Sequence, residues 1–168
     1  MKFLIASDLH GSAYYAKKLV EAFKESKADK LILLGDVYNH GPRNPLPKDY
    51  APMEVAELLN GITDKLLVIK GNCDSQVDTM ISKFSFIEDA VLISGEKTVF
   101  LTHGHVYNKD NMPLTKFDMV IYGHFHTGFI EEKDGVIIAN TGSLSLPKNN
   151  TPNSYLILED GKLDLKEI

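Results

Sequence analysis

Six histidines stand at positions 10, 40, 103, 105, 124 and 126, and each lies in a short polar cluster that ends or follows an apolar run. The clusters are Asp8-Leu9-His10, Gly35-Asp36-Val37-Tyr38-Asn39-His40, Gly71-Asn72-Cys73-Asp74, His103-Gly104-His105 and Gly123-His124-Phe125-His126. Together they offer carboxylate, imidazole and amide oxygen. Cys73 is the only thiol in the chain, which disfavours a cysteine-rich zinc site or an iron–sulfur cluster. Any one cluster alone reads as a cap or a turn; the conjunction reads as a metal centre. The nitrogen and oxygen candidates outnumber what one tetrahedral ion needs. Two ions sharing a carboxylate is the economical arrangement, and such a pair at ~3.5–4 Å supports in-line displacement at phosphorus.

The clusters need a scaffold that brings distant positions to one edge. Residues 2–6, 30–34 and 65–69 are short apolar runs and read as buried strands. Between them, residues 12–28 place Ala16, Leu19, Val20 and Phe23 at helical spacing, with Ser12 as a cap. Residues 52–60 carry Pro52 at the first turn and Gly61 just past the end of a second helix. This alternation predicts a parallel sheet with crossover helices. The second half turns to strands at 90–93, 97–102, 118–122, 128–132, 135–139, 153–158 and 162–167. Glu132-Lys133-Asp134-Gly135 and Glu159-Asp160-Gly161 separate strands as hairpin turns do. Two sheets face to face with helices outside, within one domain over 1–168, is the expected architecture. In a parallel sheet the carboxyl ends of the strands share an edge, where ligands bind, and the clusters follow the strands ending near 6, 34, 69, 102 and 122. The segment 41–52 holds Pro42, Pro45, Pro47 and Pro52, a stiff stretch placed to wall the site.

Composition narrows the function classes. The 168 residues are 43% hydrophobic and 24% charged, the balance of a folded globular chain. The longest apolar runs, such as Leu31–Leu34, fall far short of the ~18 residues of a spanning helix, so no membrane association is expected. Net charge is -5 and no basic block occurs, which makes a nucleic-acid partner unlikely as a class but leaves room for a small phosphorylated substrate. The lone cysteine, and an N-terminus without an apolar leader region, point to a reducing, cytoplasmic location. Phe84 and Phe86 have two places to go, the interior or the face of a homo-oligomer.

Asp-x-His, Gly-Asp, Gly-Asn-x-Asp, His and Gly-His-x-His occur in that order, each after a strand, from Asp8 to His126. In this the chain resembles the calcineurin-like metallophosphoesterase superfamily. Within it, Gly35-Asp36-Val37-Tyr38-Asn39-His40-Gly41-Pro42-Arg43-Asn44, Gly71-Asn72-Cys73-Asp74 and the late Asn140-Thr141-Gly142-Ser143 with Pro147-Lys148 are similar to the YfcE-type phosphodiesterases. The resemblance implies an α/β, four-layer α/β/β/α sandwich of two mixed sheets flanked by helices. It implies that Asp8, His10 and His126 hold one metal, that Asn72, His103 and His124 hold a second, and that Asp36 bridges them. Two divalent ions are expected, manganese first, with iron, zinc, cobalt or nickel as substitutes. The implied activity is hydrolysis of small phosphodiesters by in-line attack of a metal-bridging hydroxide on phosphorus, with Asp36 and Asn72 catalytic through the metals they hold.

The resemblance breaks at Cys73. Many superfamily phosphatases carry a histidine there, thought to protonate the leaving group, and a thiol is a poor substitute acid for an alkoxide. Weak turnover of substrates with basic leaving groups is therefore expected, unless another group donates. His40 and Asn39 are candidates for that donation, and the planar fork of Arg43 suits a phosphate oxygen. His105, two residues after His103, either backs that ligand or faces phosphate. Two rivals stand beside the hydrolase reading. One is a non-catalytic scaffold of the retromer-subunit type, which lacks the first-motif histidine that His10 supplies here. The other is a nuclease or nucleotide phosphatase on the same metals, which the acidic balance disfavours.

Overall fold

The computed structural model describes residues 1–168. In chain order its elements are β1 (Lys2–Ala6), α1 (Ala13–Ser26), β2 (Lys30–Leu33), α2 (Pro52–Asn60), β3 (Leu66–Ile69), β4 (Phe86–Ile87), β5 (Ala90–Ser94), β6 (Lys97–Leu101), β7 (Met119–Tyr122), β8 (Gly128–Lys133), β9 (Val136–Thr141), β10 (Ser154–Glu159) and β11 (Lys162–Glu167). They form two mixed sheets, ordered β11-β10-β1-β2-β3-β4 and β5-β6-β7-β9-β8. β1, β2, β3 and β4 pair in parallel, as do β6, β7 and β9; the hairpin partners and the long-range pair β1–β10 are antiparallel.

The apolar strands read as continuous runs because both of their faces are buried. Along β1, Phe3 and Ile5 face the second sheet and join Ile32, Ile69, Leu101 and Ile121 in the core between the sheets. Leu4 and Ala6 face the other way, against Leu19 and Phe23 of α1 and Val55 and Leu59 of α2. Each leucine buried this completely contributes roughly 1.5–3 kcal/mol. Ser12 caps α1, its Oγ accepting from the Tyr15 N–H at 3.3 Å. That helix stops at Ser26, short of residue 28, because Lys27 takes a left-handed φ of 53° and returns its N–H to the Lys24 carbonyl. Asp134-Gly135 and Asp160-Gly161 both have paired positive φ, the conformation that matches strand twist in two-residue hairpins.

The sandwich of two mixed sheets agrees with expectation, and one layer differs in kind. Both α-helices pack on the first sheet. The outer face of the second sheet, with Phe100, Val120, Tyr122 and Ile138, is covered by Tyr107, Met112 and Phe117 from the loop after β6. No helical apolar period exists across residues 102–118, where Gly104 and Pro113 interrupt and Asn108 and Asn111 exchange backbone hydrogen bonds. The fourth layer is therefore a loop. Three short elements carry no period readable in sequence: a 3₁₀ turn at Thr63–Lys65, which leaves β3 to start at Leu66, a second at Gln76–Met80, held by the reciprocal Ser75–Asp78 capping box, and the two-residue β4. β4 carries Phe86 to the helix side of the core beside Phe84, ring centroids 5.5 Å apart, so these rings take the interior place. No helix is long and apolar enough to cross a membrane.

Candidate metal centre

Parallel strands of both sheets end at one edge, and the loops that leave them carry the polar clusters. Asp8, His10, Asp36, His124 and His126 all have φ between 51° and 66°. Left-handed backbone at a non-glycine residue costs ~1–2 kcal/mol, and such strain gathers where a fold is organised around function. Backbone hydrogen bonds hold it. The N–H groups of Asp8, His10 and Gly11 donate to the carbonyls of Gly35, Asp36 and Val37, zipping the first two motif loops together. Asp74 clamps the second loop to the third: its carboxylate accepts from Asp36 N and Val37 N at 2.8 Å and from Gly71 N at 2.7 Å. A Cβ on Gly71 would overlap the Asp36 carboxylate, and one on Gly123 would overlap Ser7 Oγ and Asp8 Oδ2.

The imidazoles are aimed from behind. His10 Nδ1 donates to the Asn39 carbonyl at 2.7 Å, His103 Nδ1 to the Leu34 carbonyl at 2.6 Å and His126 Nδ1 to the Leu146 carbonyl at 2.6 Å. A carbonyl only accepts, so each Nδ1 carries a proton and each ring turns its Nε2 toward the cluster, the atom that a metal would take once any proton on it has left. Those atoms converge. His126 Nε2 lies 3.1 Å from Asp8 Oδ1 and 3.1 Å from His10 Nε2, and His10 Nε2 lies 3.5 Å from Asp8 Oδ1. Asp36 faces both sides, Oδ2 at 3.8 Å from His10 Nε2 and Oδ1 at 3.5 Å from His103 Nε2. Asn72 Oδ1 is 3.0 Å from His103 Nε2.

Asp8 Oδ2 is satisfied by Ser7 Oγ at 2.5 Å and by the His124 N–H at 2.8 Å. Asp8 Oδ1 is buried with no hydrogen-bond partner. A buried carboxylate oxygen facing two imidazole nitrogens calls for a cation or protons between them. The donor set fits a divalent metal. Asp8, His10 and His126 make one compact group and Asp8, Asp36 and His103 another, with ligand atoms within 4.8 Å of one another. Protons stand in when no metal is there. Burial pushes His103 down, but Asp36 and Asp8 outweigh it and lift the imidazole to about 9; His10 is raised in the same way by Asp8. Burial likewise opposes the Asp8 and Asp36 carboxylates, yet the facing imidazoles hold both below the usual range. His124 is pushed down to about 4 by burial and by the neighbouring His103, whose ring centroid is 5.1 Å away, so its ring is neutral at pH 7.

A cleft of about 770 Å³ opens over this cluster, lined by Asp36, Asn39, Arg43, Asn72, Cys73, His124, His126 and Lys148 among others. Of the sequence candidates, Asp8, His10, Asp36, Asn72, His103, His124 and His126 thus meet at one place, and Arg43 stands on the wall formed by the start of the proline-rich segment. His40 does not line the cleft. Its ring stands edge-on to Tyr50, centroids 5.3 Å apart, while its neighbours Asn39 and Gly41 both line the cleft. His105 is exposed beside His103 at 5.4 Å and also stays off the cleft lining; Gly104, at φ 114°, breaks the strand alternation. Cys73 does line it, and burial followed by Asp36 pushes its thiol up to about 12.

The sequence marks Asn140–Ser143 only as part of the resemblance; the structure gives this run its role, as the shell beneath. Ser143 and Ser145 Oγ donate to the Asp8 carbonyl at 2.7 and 3.1 Å, Thr141 Oγ1 meets Ser7 Oγ at 2.6 Å, and Asn140 Nδ2 donates to the Gly123 carbonyl at 2.6 Å. The signal was one more polar run, Asn140–Ser145, at the end of β9.

Comparison with known proteins agrees with this geometry. Residues 1–162 match the model of the calcineurin-like phosphoesterase superfamily domain. Phosphodiesterase YfcE of Escherichia coli strain K12 is 42% identical over 168 residues, covering 98% of this chain and 91% of that protein. The solved structure of that E. coli phosphoesterase superposes with a TM-score of 0.95 at 39% identity, over 99% of this chain and 93% of its own. Vps29 of Entamoeba histolytica, solved with Zn²⁺, shares the fold at a TM-score of 0.64 and 18% identity, over 100% of this chain and 98% of its own. With five motif blocks assembled on one sheet edge and a family model matched over residues 1–162, the chain belongs to the calcineurin-like phosphoesterase superfamily.

Proposed function

We propose that this chain is a metal-dependent phosphodiesterase that hydrolyses small phosphodiesters, carried out by one domain over 1–168 with a binuclear centre. The observation that carries it is the partnerless Asp8 Oδ1 facing two imidazoles whose far nitrogens are already committed to carbonyls. Asp8, His10 and His126 would hold one ion, and Asn72, His103 and His124 the other. Asp36 would bridge, one oxygen turned toward each group. Divalent cations held there supply Lewis acidity toward phosphate oxygens and acidify bound water at neutral pH. Manganese is the first metal to load because the resembled family is usually run with it; oxygen and imidazole ligands do not themselves choose among manganese, iron, zinc, cobalt and nickel.

The remaining work belongs to the chain's own groups. Arg43 offers its planar fork to a non-bridging phosphate oxygen. Cys73, with its thiol near 12, keeps its proton at pH 7 and lies far from the operating range of an efficient general acid. Esters whose leaving groups need no protonation, such as aryl diesters, are therefore the favoured substrates. A lone thiol suits a reducing cytoplasm. The test is a phosphoester panel on manganese-loaded protein with metal content measured on the same sample. Aryl diesters should turn over and monoesters should lag. Monoesters hydrolysed far faster than diesters, or tight metal uptake with no turnover of any ester, would overturn the reading.

A further inference from the structure

Two side chains on the cleft, Phe125 and Lys148, have no part in the candidate metal site or in the phosphate contact given to Arg43. Of the residues lining the cleft, only Phe125 offers a large apolar side chain. Phe125 sits between candidate ligands His124 and His126, yet its side chain stays 44% exposed. Its ring is fixed edge-on by Tyr122 at 6.0 Å and by His124 at 5.1 Å, so a flat apolar face is held ready over a polar site. Lys148 is equally fixed at its backbone. Its N–H donates to the His126 carbonyl at 2.9 Å, two residues after the Leu146 carbonyl that orients the His126 ring. Its ammonium is committed to nothing. Most lysines of the chain lack a carboxylate partner; what sets Lys148 and Arg43 apart is that they are the only cationic side chains lining the cleft.

We propose that Phe125 and Lys148 form a specificity subsite for a nucleotide-like diester, one whose retained ester group carries an aromatic ring and a second anionic group. Resting on the phosphodiesterase reading, it names the substrate class of that site. The ring lies on Phe125, and the extra anion meets Lys148 in addition to the scissile phosphate at Arg43. A base stacked on an exposed aromatic side chain is a sequence-tolerant contact, and a phosphate on an unpaired ammonium is a charge-assisted one.

The test holds the leaving group constant. Three esters of 4-nitrophenyl phosphate are compared on manganese-loaded protein: the methyl ester, the thymidine 5′ ester, and the thymidine 5′ ester bearing a 3′-phosphate. The expected order of kcat/KM rises at each step, by about fivefold or more for the base and about threefold or more for the added phosphate. Phe125→Ala should collapse the first step and Lys148→Gln the second, through KM rather than kcat. Calorimetric titration of the loaded protein with thymidine 3′,5′-bisphosphate should show the same losses without turnover. Equal rates on all three esters, or steps that survive both substitutions, overturn the subsite while leaving the phosphodiesterase intact. No hydrolysis of any of the three overturns the phosphodiesterase reading itself.

Discussion

Metal uptake by this protein should be a proton exchange, and His103 sets its size. In the metal-free chain Asp36 and Asp8 hold that imidazole up to about 9 against an ordinary 6.5. At pH 7 a cation must therefore displace a proton from His103, and the raised His10 adds to the demand. Apparent affinity should climb roughly tenfold per pH unit from 7 toward 9, about 100-fold in all, because each unit is worth ~1.4 kcal/mol. The stability of the metal-free protein should move the opposite way. His103 titrates higher folded than unfolded, so its contribution of about 3 kcal/mol is complete below pH 6.5 and is lost as pH rises to 9. Manganese titration by calorimetry, in two buffers of different ionisation enthalpy, counts the protons released. Urea unfolding of chelator-treated protein at pH 6.5 and 9 reads the second slope. Affinity independent of pH, with no proton release, would refute the arrangement of carboxylates around His103.

Further outcomes follow from single residues. Asp36→Asn keeps the shape but removes the charge shared by His10 and His103; metal content and turnover should fall together, and full turnover would end its bridging role. Gly123→Ala drives a methyl group into Ser7 and Asp8, so the protein should lose about 1–3 kcal/mol in urea unfolding and bind metal weakly. His40→Ala should leave metal content and kcat within about twofold, since the ring lies on Tyr50 outside the cleft; a tenfold loss with metal retained would return it to the reaction.

Much of this molecule could be read along the chain. Strands buried on both faces announce themselves as apolar runs, which is why residues 2–6 and 30–34 were legible, and Asp-Gly pairs require the left-handed backbone that hairpins use. The candidate ligands were legible for a related reason: carboxylates and imidazoles at apolar strand ends have no core role to explain them. Position in space was not. That the His40 ring packs on Tyr50 comes from a contact ten residues away in sequence, and whether His105 follows His103 depends on the φ of Gly104. A helix-free outer layer, a two-residue β4 and the 3₁₀ turns leave no period to detect, since they are too short or irregular to repeat. Residue types thus determined that this chain would gather carboxylates and imidazoles able to hold a metal. Only tertiary packing decided which nitrogen of each ring points inward, because that is settled by the carbonyls of Leu34, Asn39 and Leu146, and a backbone carbonyl belongs to every residue and marks none.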